Sequence, residues 1–85
     1  MKKTISSSEY PALIGWLKNR RLELQWSMRD LAARLDQPHS FVQRIEMLER
    51  RLDIQEYVIY CKALSLDPVE GVLILISALE QSSAN

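Results

Sequence analysis

The stretch "SMRDLAARLDQPHSFVQRIE", Ser27 to Glu46, decides the fold. Ser27 followed three residues later by Asp30 is a helix-start signal. The hydroxyl accepts from a free amide of the first turn, and the acid reaches back to the amide of Ser27. Met28, Leu31, Ala32 and Leu35 then recur at helical spacing and predict a buried stripe on a helix barely two turns long. Asp36, Gln37 and Pro38 break that pattern. Pro38, at or near a first helical position, starts a second helix that should run to about Leu48. The stretch reads as a helix, a three-residue turn and a second helix, together spanning residues 27–48.

On the second helix, at about 100° per residue, His39, Ser40, Gln43, Arg44 and Met47 fall within an arc of about 140°, with Phe41, Val42, Ile45 and Leu48 opposite. The apolar arc must pack on the preceding helix. That leaves an imidazole, a hydroxyl, an amide and a guanidinium, from His39, Ser40, Gln43 and Arg44, projecting outward together. A helix fits the major groove of DNA, where arginine can bind guanine, glutamine can bind adenine, and serine or histidine can take donors or acceptors. Any surface helix turns polar residues outward, so charge has to support this reading, and it does. Residues 1–52 hold ten Lys and Arg against six Asp and Glu, whereas residues 53–85 hold one against five. A formally neutral chain is therefore positive in the half that contains the two-helix unit, which suits approach to phosphates from one side.

Working outward, a first helix should open between Ser8 and Pro11 and run to about Leu24, with Leu13, Leu17, Arg20 and Leu24 on one stripe. After Arg50 and Arg51, Asp53 with Glu56 caps a fourth helix that should bury Ile54, Tyr57, Val58, Cys61 and Leu64. Asp67, Pro68 and Glu70 open a last helix to about Glu80. The expected fold is all-α: five helices in one domain over residues 8–80, with short tails at 1–7 and 81–85. Val72 to Ile76 is apolar on every side of a helix, more than one small core covers. A chain of 85 residues buries only about 60% of its unfolded surface and gains from a second copy. A homodimer is therefore expected, with Val72, Leu75, Ile76 and Leu79 at its interface on a dimerisation helix over 68–80. The β-branched content and Gly71 leave an interface strand open as the other form of this segment.

Composition removes other classes. One cysteine, Cys61, closes no internal disulfide, and with the single His39 it cannot make a four-ligand zinc site, so no metal is expected. Cys61 sits on an apolar stripe without an orienting partner, which argues against a nucleophile and hence against an enzyme. No segment has a secretory signal's apolar core or the length of a membrane span, so the expectation is a cytoplasmic protein with no membrane contact.

From Leu13 to about Leu73 the chain resembles the helix-turn-helix domains of the XRE family, which includes the phage repressors and Cro proteins. Leu31 and Leu35 resemble its core positions, Ala32 its small residue where two helices cross, and Val42 and Ile45 the residues that lock its reader helix. "ERRLD", Glu49 to Asp53, and "KALSLDP", Lys62 to Pro68, resemble the loop and the later helix corner of small members. The resemblance implies that His39, Ser40, Gln43 and Arg44 contact bases, that Ser27, Met28 and Arg29 touch phosphate, and that Arg50 and Arg51 flank the DNA backbone. It implies a buried ion pair between Arg21 and Glu46, and a core position for Trp26. It also marks departures. Met28 stands where glutamine is usual. Gln25 and Asp36 stand where glycine takes a left-handed conformation, and Leu48 replaces the glycine that ends the third helix, so that helix should continue and displace Arg50 and Arg51. The implied function is a dimeric, sequence-specific double-stranded DNA-binding regulator, a repressor that occludes an inverted-repeat operator and needs no cofactor. The competing reading is a protein-interaction module, an antitoxin or adaptor whose protein partner docks on the apolar last helix.

Overall fold

Five helices make up the described part of the chain: α1 (Glu9–Glu23), α2 (Met28–Arg34), α3 (His39–Glu46), α4 (Ile54–Ala63) and α5 (Pro68–Ser83). The structure is a computed structural model and describes residues 8–83. The expected tail at 1–7 and residues 84–85 lie outside that range, and no strand occurs among the described residues. The last segment is thus helical throughout, and it continues past Glu80, so residues 81–83, expected in the tail, belong to α5.

Reciprocal caps start two of the helices. Ser27 Oγ accepts from the Asp30 amide at 3.1 Å and Asp30 Oδ2 accepts from the Ser27 amide at 2.8 Å, opening α2. The backbone bond to Ser27 holds the Asp30 carboxyl below its ordinary range. Asp53 and Glu56 repeat the arrangement at α4, at 2.7 and 3.0 Å. At α5, Asp67 accepts from the Val69 amide at 3.0 Å.

The ends of α1 to α4 share one geometry, and none of the four uses glycine. Gln25, Asp36, Leu48 and Ser65 all take positive φ, between 56° and 63°. At each end the left-handed residue donates to the carbonyl three back and its successor to the carbonyl five back. Trp26 thus donates to Arg21 at 3.1 Å, Gln37 to Ala32 at 2.9 Å, Glu49 to Arg44 at 2.9 Å and Leu66 to Cys61 at 2.8 Å. The paired bonds satisfy carbonyls a helix end would leave open. An L side chain in this region costs on the order of 1–2 kcal/mol, so packing must hold these turns. Leu48 corrects the sequence expectation: α3 stops at Glu46 instead of running to Leu48, whose side chain is exposed and not on the packed face.

The core joins the first three helices around α4: Leu13, Ile14 and Leu17 from α1, Leu31 and Ala32 from α2, Val42 and Ile45 from α3, with Tyr57, Tyr60, Cys61 and Leu64 from α4 and its end. Burial pushes the Cys61 thiol above its ordinary range. Ile54 departs from expectation: as the first residue of α4, beside its cap, it is 74% exposed. Arg20 ties α1 to the end of α4, its Nε donating to the Leu64 carbonyl at 3.0 Å. Gly71 lets α5 lie close on α1, since a Cβ there would fall 2.6 Å from Trp16 Cζ3. No helix among the described residues is long and apolar enough to cross a membrane.

The link between α3 and α4 is held by Arg50. Its guanidinium meets Glu56 in two bonds of 2.9 Å and lies 4.9 Å over the Phe41 ring. The Arg50 pair, joined by the Asp53 amide, lowers the Glu56 carboxyl from 4.5 to about 2. Because the folded value is depressed, this pair contributes its full stability above pH 4.5 and loses it as pH falls from 4.5 toward 2. Urea denaturation should therefore show that Glu56→Gln is less stable than the parent at neutral pH, with a gap that narrows through that window. A gap independent of pH would contradict the assignment.

Candidate nucleic-acid interface

Arg21, near the end of α1, has its side chain only 7% exposed, and so in turn is its partner Glu46 at 6%. All three guanidinium nitrogens donate. Nε donates to Glu46 Oε2 at 2.7 Å and Nη2 to Oε1 at 3.0 Å, a forked pair. Nη1 donates to the Trp26 carbonyl at 2.7 Å. Trp26 directly precedes the Ser27 cap, so one side chain fixes the last turn of α3 relative to the entry into α2. Beneath this, Val42 and Ile45 are wholly buried against Leu31 and Ala32. The fork at Glu46 and the burial of Val42 and Ile45 together oppose rotation of α3 about its own axis.

Such a seating decides what faces solvent. Ser40, Gln43 and Arg44 are exposed and His39 is half-buried at the first position of α3. Among the described residues none of these four side chains hydrogen-bonds or ion-pairs with another group. Ser27 is exposed at its cap and Arg29 is exposed on the first turn of α2, whose leading amides have no partner within the helix. Met28 differs: its side chain packs against the core.

The two loop arginines separate. Arg50 is engaged by Glu56 and Phe41 as described, which makes it a brace between α3 and α4. Arg51 is exposed and stacks 4.4 Å over the Tyr10 ring. Trp26 is half-buried at the core edge with Arg34 4.0 Å over its ring. No cluster of metal-ligating side chains occurs among the described residues.

On α5, Val72, Ile76 and Leu79 are exposed while Leu75 is half-buried. Leu75 and Val72 border an apolar cavity of about 230 Å³, whose wall includes Tyr10, Leu52 and Ile54. Ile54 is the residue that periodicity assigned wrongly to the core. Its place immediately after the Asp53 cap is the signal, because a first-turn side chain has no preceding turn to lie on.

The helix-turn-helix family matches residues 17–70. Among solved structures, the chain is similar to an XRE-family like protein from Pseudomonas syringae pv. tomato str. DC3000, at 35% identity over 84% of this chain and 87% of that one, with a TM-score of 0.77. It is similar in fold to the wild-type restriction-modification controller protein C.Esp1396I, at 24% identity over 89% of this chain and 99% of that one, with a TM-score of 0.73. No curated protein matches the chain.

The seating of α3 has a direct test in stability. Arg21→Met and Glu46→Leu should each cost about 3–5 kcal/mol in chemical denaturation, because each strands a buried charge. The double variant should recover most of that loss. Simple addition of the two losses would show that the forked pair does not couple these helices.

Proposed function

The chain belongs to the XRE-family helix-turn-helix proteins and is a DNA-binding transcriptional regulator; on that premise we propose that it represses transcription as a homodimer on an inverted-repeat operator. One observation carries the reading: four hydrogen-bonding side chains with no partner among the described residues project from a helix whose other face is locked in the core. In this reading α3 enters the major groove. Arg44 recognises a guanine through its forked donors, Gln43 an adenine, and His39 and Ser40 adjoin them with groups that donate or accept. Ser27, the Met28 amide and Arg29 approach one phosphate strand, and Arg51 approaches phosphate beyond α3. Arg50 keeps its place through Glu56 and supports the loop.

A single copy covers too few base pairs for strong discrimination. Two copies related by a two-fold axis would place their α3 helices about 34–36 Å apart, one turn of the duplex, and occlude the polymerase there. The exposed apolar residues of α5, with Ile54 and the adjoining cavity, support Val72, Leu75, Ile76 and Leu79 as the contact between copies. That same surface is what the competing reading, docking of a different protein on α5, would use.

Selection from a random duplex pool should return an inverted repeat, bound specifically and weakening steeply with salt. On that duplex Arg44→Ala should cost about 1–3 kcal/mol and relax preference at one base pair, while Arg51→Ala weakens all sequences about equally. Matching selectivity profiles for the two variants would reject the assigned roles. Ile76→Asp should sediment as a monomer. If it sediments like the parent, the last helix is not the contact between copies.

A further inference from the structure

Met47 lies on the wrong side of α3 for an apolar residue. At about 100° per residue it falls between His39 and Ser40 in projection, in the middle of the arc that also holds Gln43 and Arg44. It is 57% exposed, while Val42 and Ile45, the large aliphatic side chains of the same helix, are wholly buried. The core does not use it, for it is neither in the buried cluster nor among the residues packed against that cluster. Lone exposed apolar residues are common on protein surfaces, so exposure alone is no argument. Position is. Met47 caps α3, its amide donating to Gln43 at 2.9 Å, and the turn beyond it is closed by the Glu49 amide on the Arg44 carbonyl at 2.9 Å. Its backbone is therefore as fixed as that of the polar row.

Met47 stands eight residues beyond His39, about 12 Å along the axis, or roughly three to four base pairs of duplex. Every other outward side chain of α3 in that arc is a hydrogen-bonding group. Of the features on the floor of the major groove, the thymine C5-methyl is the one that an apolar group recognises. An unbranched, polarizable thioether with three rotatable bonds can reach it without demanding one approach direction.

We propose that Met47 is a specificity-determining residue that contacts a thymine methyl at the far end of the α3 footprint. The proposal rests on the reading of α3 as the groove-entering helix, and its test keeps the two apart. In the selected duplex, thymines are replaced one at a time by deoxyuridine, which removes only the methyl group. The full chain should lose about fourfold in affinity at one position per half-site, three to four base pairs from the His39 contact, as expected for one buried methyl of about 0.8 kcal/mol. Met47→Ala should bind the thymine duplex about fourfold more weakly, show no further loss with deoxyuridine there, and melt at the parent's temperature. Met47→Leu should retain the deoxyuridine sensitivity. The proposal is overturned if no thymine replacement weakens the parent, if the selected half-sites show no thymine at that position, or if Met47→Ala keeps the parent's sensitivity while still binding. Failure of the parent to retain any duplex would overturn the underlying reading along with it.

Discussion

One guanidinium, buried and bonded through all three of its nitrogens, sets the geometry on which the rest of the molecule depends. α3 has eight residues, too few to be stable as an isolated helix. Its shape and orientation must come from its surroundings. Apolar packing of Val42 and Ile45 gives it a seat, but aliphatic contacts tolerate sliding. The fork between Arg21 and Glu46 does not, because two parallel bonds to one carboxylate define both a distance and a plane. The third bond, to the Trp26 carbonyl, carries the constraint into the entry of α2. A buried ion pair is weak evidence for stability, since apolar replacements of equal volume often do as well. Its contribution here is orientation: it determines which four side chains of α3 meet solvent.

Short helices joined by short turns impose a second constraint. α1 to α4 all end by the same pair of backward bonds, and each end needs a residue with positive φ. Glycine would take that conformation freely, yet the chain uses Gln25, Asp36, Leu48 and Ser65. At the first and third of these turns the neighbouring residues are anchored. Trp26 lies under Arg34, and the loop after Leu48 is braced by Arg50 on Glu56 and Phe41. Both glycines of the chain lie elsewhere, and Gly71 is spent on the approach of α5 to α1.

These two constraints explain what could be read from the residues alone. The caps at Ser27 and Asp53 were legible because each is a local pattern of two residues three apart, and the helix interiors because burial repeats at helical spacing. The division of α3 into two faces was legible for the same reason. Leu48 was not. Nothing in its chemistry signals a left-handed residue, and both helical spacing and the missing glycine extended α3 through it. Ile54 was misassigned because periodicity counts an apolar residue without regard to its place beside a cap. The role of Arg50 depended on Glu56 and Phe41 meeting it from two other helices, a contact that no single stretch of sequence contains. The side of α3 that the proposed reading places in DNA was thus more legible than the loop that supports it.

The central claim is that the outward face of α3, with the first turn of α2, is where this chain meets a duplex. Amide and side-chain NMR shifts of the full chain, followed during titration with its selected duplex, test it most directly. The account predicts the largest changes at Ser27, Arg29, His39, Ser40, Gln43 and Arg44, with α5 nearly unmoved. Changes concentrated on α5 and the start of α4, with α3 silent, would contradict it.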